Sequence, residues 1–282
     1  MTLFDHLTRA RGELVAAGVH GSDAALDVEV YAREILGWDR ATLLAEQRGA
    51  VPDRLEPRFS EWIARRRHSE PTAYIVGYRE FWNLLFRVTS AVLIPRPETE
   101  FIVEEAIAVL RPMTAPRVAD IGTGSGCLAV SLAHAIEHCT VVATDISESA
   151  LVVARENAVA NGVDSRIRFV CTSYLETIDE SFDVIVANPP YVRQVDKDAL
   201  GKDVRHEPEV ALFGGNDGLR DIAGVLDTAI DSLSPGGWLV MEFGFGQEDD
   251  IRRLVAQRPP VYLSSIRYDL QGIPRTAVIR RL

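Results

Sequence analysis

The spacing of apolar residues changes along the chain and predicts helices in its first part. In residues 1–72, apolar side chains recur every three or four positions, as at Leu3, Leu7 and Leu14, which is the period of an amphipathic helix. Residues 56–68 repeat the pattern and place Phe59 and Trp62 on one face. We expect a small helical bundle here.

A second pattern begins near residue 73, where β-branched and aromatic residues alternate with turn residues. The run includes Tyr74, Phe81, Trp82 and Val88, and such composition is typical of short strands joined by turns. We interpret residues 73–95 as a β-hairpin that links the helical domain to the rest of the chain.

Strand and helix patterns alternate from residue 96 onward. Strands are predicted at 117–120, 141–145, 167–171, 182–187 and 238–243, and helices at 101–110, 128–138, 150–161 and 219–232. Segments 262–269 and 276–281 are predicted to form an antiparallel pair at the sheet edge. The alternation is typical of an α/β domain, here residues 96–282, with a mainly parallel sheet covered by helices on both faces.

The charge of the chain is unevenly distributed. Its 282 residues carry a net charge of −11, of which the first 90 residues contribute −1 and the remainder −10. Affinity for nucleic-acid backbones depends on clustered Lys and Arg. The acidic α/β part therefore weighs against a nucleic-acid-binding protein.

Neither membrane insertion nor a disulfide framework is indicated. No apolar run approaches the roughly 20 residues that span a bilayer, so we expect a cytoplasmic protein without a membrane partner. The three cysteines, Cys127, Cys139 and Cys171, lack CxxC spacing, which argues against disulfides and a zinc site. We expect all three to be small buried residues and predict no metal.

A glycine-rich segment lies between a predicted strand and a predicted helix. It consists of Gly122, Thr123, Gly124, Ser125 and Gly126. Glycines at such a junction let a ligand approach the backbone and the free N–H groups of the helix N-terminus. The spacing is G-x-G-x-G, whereas the dinucleotide fingerprint is G-x-G-x-x-G.

Asp145 ends the next predicted strand, where its carboxylate can accept hydrogen bonds from two vicinal ribose hydroxyls. A simpler interpretation makes it the N-cap of the helix that begins near Ser147. Taken with the glycine spacing and the preceding Asp120, Asp145 resembles the cofactor motif of class I S-adenosylmethionine-dependent methyltransferases.

The tetrapeptide Asn188-Pro189-Pro190-Tyr191 follows a predicted strand. Two prolines end the strand and stiffen the turn, so that backbone carbonyls and the Asn188 side-chain oxygen can accept both protons of a planar –NH₂ group. Tyr191 can stack on that plane. The arrangement suits N-methylation catalysed by positioning, although a proline-rich turn without chemistry is the simpler alternative.

Further segments resemble the release-factor glutamine methyltransferase family, also called the HemK family. They are residues 77–82 (Gly-Tyr-Arg-Glu-Phe-Trp), 92–100 (Val-Leu-Ile-Pro-Arg-Pro-Glu-Thr-Glu) and 204–208 (Val-Arg-His-Glu-Pro). The resemblance implies a Rossmann-like class I methyltransferase fold behind a helical substrate-recognition domain. It also implies methyl transfer from S-adenosylmethionine, with S-adenosylhomocysteine as product, to the N5 amide of the glutamine in the Gly-Gly-Gln motif of class I release factors.

The same resemblance implies residue roles. Gly122 to Gly126 would hold the methionine part of the cofactor, Asp145 the ribose and Asn188 to Tyr191 the glutamine amide, and Asn188 would also contact the cofactor. Tyr174 would stack on the adenine, but Ser173 replaces an acidic residue that the family usually has there.

Several charged residues near these motifs have no assigned chemistry. We interpret Arg96, Glu98 and Glu100 as anchors of a helix N-terminus. His206 and Glu207 either line the substrate entrance or lie on a solvated loop, and the role of Glu242 is open.

Other functions share these motifs. One alternative is a glutamine methyltransferase of a ribosomal protein, and another is a nucleic-acid adenine N6-methyltransferase, which the acidic charge disfavours. A third is a cofactor-binding interaction protein in which Asn188 is idle. The family resemblance favours class I release factors as the protein partner.

Overall fold

The computed structural model describes residues 1–282, and the chain separates into two compact units. Met1–Gly77 and the short segment Gly201–His206 form the first unit. Tyr78–Leu200 and Glu207–Leu282 form the second. Segment 201–206 is therefore distant in sequence from the rest of the unit to which it belongs.

The first unit is helical. Its helices are α1 (Leu3–Ala16), α2 (Gly21–Leu36), α3 (Arg40–Glu46), α4 (Arg58–Arg67) and α5 (Thr72–Val76). Thr2 caps α1 in a capping box with Asp5, and Gly37 ends α2 in the left-handed conformation. The apolar faces pack around Tyr31, Phe59 and other buried side chains, as the 3.6-residue period predicts.

The second unit begins with a two-stranded hairpin and continues as an α/β domain. Its strands are β1 (Tyr78–Phe81), β2 (Leu84–Arg87), β3 (Arg117–Ile121), β4 (Thr140–Asp145), β5 (Ile167–Cys171), β6 (Phe182–Ala187), β7 (Leu233–Glu242), β8 (Val261–Tyr268) and β9 (Pro274–Arg281). Its helices are α6 (Glu100–Leu110), α7 (Cys127–Ala135), α8 (Glu148–Ala160), α9 (Glu209–Leu212), α10 (Arg220–Ser232) and α11 (Glu248–Ala256).

Seven strands form one sheet in the order β5-β4-β3-β6-β7-β9-β8. The first five are parallel, and β9 runs antiparallel to both β7 and β8. The chain builds outward from β3 in one direction through β4 and β5, and in the other through β6 and β7. In open α/β sheets, ligands bind at the carboxyl ends of the strands where the order reverses, which here lies between β3 and β6.

Helices cover both faces of the sheet. Side chains of α6, α7 and α8 pack on one face with Val118, Val184 and Val186, and side chains of α10 and α11 pack on the other with Ala119 and Ile185. Successive strand residues point to opposite faces, so strands buried on both sides read as continuous apolar runs. This α/β architecture, with its antiparallel edge, confirms the predicted fold class.

The structure differs from the sequence predictions at the hairpin, at helix α11 and at Cys171, among other places. The hairpin occupies only residues 78–87, because residues 72–76 form α5 and no strand follows residue 87 before α6. Helix α11 was not predicted, since its first turn is acidic and it buries only Ile251, Leu254 and Val255. Cys171 is exposed, whereas Cys127 and Cys139 are buried as expected.

No helix in the chain combines the length and apolar character that crossing a membrane would require.

Candidate active site

A cavity of about 340 Å³ lies in the second unit, beyond the carboxyl ends of four parallel strands. The segments that follow β3, β4, β5 and β6 supply its walls, together with residues from 91–99 and from 208–225. Its position is the one that the reversal of strand order predicts for a ligand.

Most of the glycine loop lines this cavity. Gly122 and Gly124 have positive φ angles of 72° and 54°, and a Cβ added at Gly122 would meet no atom within 4 Å. Thr123 and Ser125 also belong to the wall. A ligand can therefore approach the backbone of this loop, and α7 begins directly behind it.

Gly126 differs from the sequence prediction. It does not line the cavity, and a Cβ there would lie 3.1 Å from the Cβ of Ala154 on α8. Only glycine allows this close approach of the loop to the neighbouring helix. The third glycine of the motif therefore serves packing.

Asp145 lies in the cavity wall at the end of β4. Its Oδ2 accepts from the backbone N–H of Gly124 and its Oδ1 from that of Ser147, each at 2.9 Å. Ser147 itself caps α8 through its hydroxyl, so Asp145 is not the N-cap. Burial raises the pKa of Asp145, against the opposing effect of these backbone N–H groups.

Tyr174 and Ser173 form another part of the wall, after β5. The Tyr174 hydroxyl donates to Oδ1 of Asp221 at 2.9 Å, and its ring packs so closely on Gly224 that a Cβ there would come within 3.0 Å of it. Burial is the main cause that raises the pKa of Tyr174 to about 12. The carboxylate in this region thus comes from Asp221 on α10, because position 173 holds a serine.

Asn188, which follows β6, lines the cavity and carries an unpaired acceptor. Its Nδ2 donates to Oγ1 of Thr99 at 3.0 Å, whereas its Oδ1 is buried and has no hydrogen-bond partner. An unpaired buried acceptor is costly unless a ligand supplies a donor. Pro189 and Pro190 line the cavity beside it and carry carbonyls but no N–H groups.

Tyr191, the last residue of the tetrapeptide, does not line the cavity. Its hydroxyl donates to Oε1 of Glu242 at 3.0 Å. The negative charge of Glu242, followed by burial, raises the pKa of Tyr191 above its usual range. The structure therefore shows Tyr191 supporting the turn, whereas the sequence suggested that it covers the substrate.

Glu242 lies behind the Asn188 wall at the end of β7 and is almost completely buried. Besides Tyr191, it accepts a hydrogen bond from the Thr99 hydroxyl to Oε2 at 2.8 Å. Burial raises the pKa of Glu242 to about 7 despite these two donors. Asn188, Thr99, Glu242 and Tyr191 thus form one connected network, which we call the acceptor network.

Comparison with known proteins identifies close relatives over almost the whole chain. A protein named release factor glutamine methyltransferase from Bradyrhizobium diazoefficiens is 40% identical over 92% of this chain and 89% of its own length. A protein of the same name from Deinococcus radiodurans is 35% identical over 100% of this chain and 99% of its own. Residues 5–77 match the family model of the PrmC N-terminal domain, and residues 100–212 match that of the methyltransferase small domain.

The chain belongs to the release factor glutamine methyltransferase family. It is therefore an enzyme, a methyltransferase. Solved structures agree on the fold: a methyltransferase from Pyrococcus furiosus superposes with a TM-score of 0.52 at 20% identity, over 79% of this chain and 98% of that one. The hMettl16 catalytic domain, solved with an RNA hairpin, gives 0.58 at 17% identity, over 78% and 82%.

Sequence reasoning missed part of the site of this methyltransferase. Arg96 lines the cavity and pairs with Glu207, and Thr99 lines it beside Asn188. Both belong to the Pro-Arg-Pro-Glu-Thr-Glu run that we interpreted as a helix anchor. Glu100, at the start of α6, does not cap that helix through its side chain; its Oε1 accepts from the backbone N–H of Trp82 at 2.9 Å and so joins the helix to the hairpin turn.

Glu207 and His206 do not line the cavity. Glu207 is buried and also accepts from the backbone N–H of Ile94 at 3.0 Å, so it is not part of a solvated loop. His206 belongs to the first unit, where its Nε2 lies 3.1 Å from the backbone oxygen of His68.

Two glycines and a glutamine hold the tetrapeptide turn in place. A Cβ on Gly214 would come within 3.0 Å of the Pro190 oxygen, and one on Gly218 within 3.0 Å of the Tyr191 oxygen. The buried side chain of Gln247 donates to that Tyr191 oxygen at 3.1 Å. The turn is therefore closely packed from outside the cavity.

Proposed function

We propose that this methyltransferase uses S-adenosylmethionine to methylate the side-chain amide nitrogen N5 of the glutamine in the Gly-Gly-Gln motif of class I release factors. One observation carries the proposal: Asn188 lines a cavity shared with the glycine loop and Asp145, and its side-chain amide oxygen, the only one among the lining residues, is buried without a hydrogen-bond partner. An amide –NH₂ group is the donor that this acceptor fits.

The lining residues that follow β3, β4 and β5 fit the cofactor. Gly122 and Gly124 leave space for a ligand against the backbone, the Asp145 carboxylate can accept from ribose hydroxyls, and Tyr174 offers an aromatic ring. When bound, S-adenosylmethionine would supply a sulfonium methyl group that a nitrogen nucleophile can attack, with S-adenosylhomocysteine as the leaving group and loss of one proton from the methylated nitrogen.

The remaining contribution comes from the acceptor side of the cavity. An amide nitrogen is a weak nucleophile because its lone pair is delocalised, so catalysis must rest on orientation and on acceptors that favour positive charge on nitrogen. Asn188 Oδ1 would accept a hydrogen bond from one amide N–H, and the Pro189 carbonyl is the candidate for the second, since the Pro190 oxygen packs against Gly214. We assign Asn188 to Pro190 to this acceptor site, with Tyr191 as the residue that supports the turn, and Gly122 to Ser125, Asp145 and Tyr174 to cofactor binding.

The N-terminal helical domain, residues 1–72, is proposed to recognise the release factor, with residues 73–95 as its linker to the methyltransferase domain, residues 96–282. We place the reaction in the cytoplasm, where release factors act. Hydrogen exchange of the full chain would test this recognition, and we expect slower exchange in α1 to α5 when release factor is added. Unchanged exchange in all five helices would contradict it.

The central experiment incubates the purified protein with methyl-labelled S-adenosylmethionine and a class I release factor. We expect mass spectrometry to find one methyl group on N5 of the Gly-Gly-Gln glutamine, and no label when that glutamine is changed to glutamate. Parallel incubations contain a duplex oligonucleotide and ribosomal proteins. Label in either of these, with none in the release factor, would refute the proposal.

A further inference from the structure

The orientation of the Asn188 amide determines what the acceptor site can bind. A 180° rotation of this side chain exchanges Oδ1 for Nδ2 with almost no change of shape. It would turn a donor toward the –NH₂ group of the substrate and leave two donors facing each other. Packing alone cannot distinguish the two orientations, so the hydrogen-bond partners must.

We propose that Thr99 and Glu242 are positioning residues that hold the Asn188 amide with its oxygen toward the cavity. The inference rests on the proposed function, because the group being oriented is the acceptor for the substrate amide. Neither role follows from the cofactor or tetrapeptide motifs.

The order of donors and acceptors in the acceptor network carries the argument. A threonine hydroxyl has one proton, and Thr99 gives it to Oε2 of Glu242 at 2.8 Å. Its oxygen can then only accept, and it accepts from Nδ2 of Asn188 at 3.0 Å. Because an ionised carboxylate has no proton to donate, Glu242 imposes this direction on the whole relay.

Protonation of Glu242 would remove that constraint. A carboxylic acid can donate to Thr99, whose own proton is then free to bond Oδ1 of a rotated Asn188. Groups that act electrostatically on Glu242 are Tyr191, Glu98, Arg275 and Cys127. Burial and Glu98 favour the protonated form, whereas Arg275 and the hydroxyls of Thr99 and Tyr191 favour the ionised one.

The same carboxylate also holds the end of the turn. Its second oxygen, Oε1, accepts from the Tyr191 hydroxyl at 3.0 Å, three residues after Asn188. Glu242 is not part of the cavity wall, so it acts on the substrate only through these neighbours.

The test compares Thr99→Val, Thr99→Ser and a matched control, Thr276→Val, in the full chain. Thr276 is buried, its hydroxyl has no partner, and it pairs with Glu242 across the β7–β9 ladder. We expect Thr99→Val to lower kcat for release-factor methylation at least tenfold with cofactor Kd changed less than threefold. Thr99→Ser should recover most of the activity, and Thr276→Val should match the wild type.

A pH series distinguishes a role of Thr99 and Glu242 in orienting the Asn188 amide from a purely structural role. We expect wild-type kcat to rise as pH increases through about 7, where Glu242 ionises, and Glu242→Gln and Thr99→Val to lack this rise. A Thr99→Val enzyme with kcat within threefold of the wild type and the same pH profile would overturn the inference.

A second readout does not need methyl transfer. The Asn188 side-chain amide resonances, assigned by their loss in Asn188→Ala, should shift in the wild type with the Glu242 titration and should not shift in Thr99→Val. Asn188 resonances insensitive to that titration would overturn the inference. If the wild type leaves release factor unmethylated while these resonances follow Glu242, the network stands and the proposed function fails.

Discussion

Asp145, which is half-buried, and Glu242, which is buried, are carboxyl groups at the ends of strands in one sheet, yet they are held in different ways. Both carboxylate oxygens of Asp145 accept from backbone N–H groups, one of them two residues away and the other in the adjacent glycine loop. Glu242 accepts from two side-chain hydroxyls, 143 and 51 residues distant in sequence. The carboxylate on the cofactor side of the site is thus held by backbone groups, whereas the carboxylate behind Asn188 is held by side chains.

Because of this difference, we expect Asp145 to affect binding of the cofactor and Glu242 to affect orientation of the Asn188 amide. A carboxylate that is held by the backbone remains in place when neighbouring side chains change, so we expect substitution of Asp145 itself to alter affinity for the cofactor. Glu242 is linked to Asn188 through the Thr99 hydroxyl and accepts directly from the Tyr191 hydroxyl. Substitutions in the acceptor network should therefore alter turnover.

Asn188→Ala should give the largest effect, because it removes the acceptor itself. We expect kcat for release-factor methylation to fall about 1,000-fold, equivalent to about 4 kcal/mol, while cofactor Kd, measured by calorimetry, changes less than threefold. Loss of cofactor binding together with activity would mean that Asn188 serves cofactor binding, as Asp145 is proposed to do.

Glu242→Gln should change how stability depends on pH. Because the folded protein raises the Glu242 pKa from 4.5 to about 7, the unfolded chain releases this proton first and the wild-type free energy of unfolding falls as pH rises across that interval. The free energy of the variant minus that of the wild type should therefore increase by about 3 kcal/mol between pH 4.5 and pH 8, measured by urea unfolding.

Asp269→Asn is the control for that series. Hydrogen bonds from the backbone N–H of Ile273 and from other donors lower the pKa of Asp269. Its ionisation therefore contributes stability that is lost only at more acidic pH. Its difference from the wild type should be constant from pH 5 to pH 8, and a Glu242→Gln difference equally constant would contradict burial of an ionisable group at position 242.

Gly218→Ala tests whether outside packing holds the acceptor turn. Gly218 and Gly272 have nearly equal φ angles, 78° and 77°, but an added Cβ would clash with the Tyr191 oxygen at Gly218 and meet nothing within 4 Å at Gly272. We expect Gly272→Ala to cost about 1 kcal/mol for its backbone conformation alone and Gly218→Ala about 3 kcal/mol. Equal losses in denaturant unfolding would show that the turn adapts.

Asp145→Asn should have the smallest of these effects on the reaction itself. Replacing the charged acceptor weakens its hydrogen bonds by about 1.5–3 kcal/mol, so cofactor Kd should rise roughly 10- to 100-fold. At saturating cofactor, kcat should remain within threefold. Asp249→Asn, an exposed acid on α11, should leave Kd unchanged, and a large fall in kcat for Asp145→Asn would break the distinction between the two carboxyl groups.

Features that depend on residues close together in the chain could be predicted from the sequence. The helical bundle and the parallel sheet follow from hydrophobic periodicity, and the reversal of strand order then places the cavity. Asp145 and the glycine loop were recognisable because their spacing along the chain is itself the signal. The short α5 and the acidic start of α11 were missed because few buried residues mark them.

Features that depend on contacts between segments far apart in the sequence could not be predicted. Gly126 reads as a third ligand glycine, but the position of Ala154 on α8 makes it a packing residue. Tyr191 reads as a ring over the substrate, but Glu242 draws its hydroxyl behind the wall.

The sequence by itself determined the two-part architecture and the family and singled out Asn188 as a candidate acceptor, because each is encoded by residue types at short, regular spacing. Only the tertiary structure decided what surrounds Asn188. Thr99 lies before α6, Asn188 after β6 and Glu242 at the end of β7, and only the folded sheet brings them together. A hydrogen-bond relay depends on atoms about 3 Å apart, and no local pattern records that distance across so many residues.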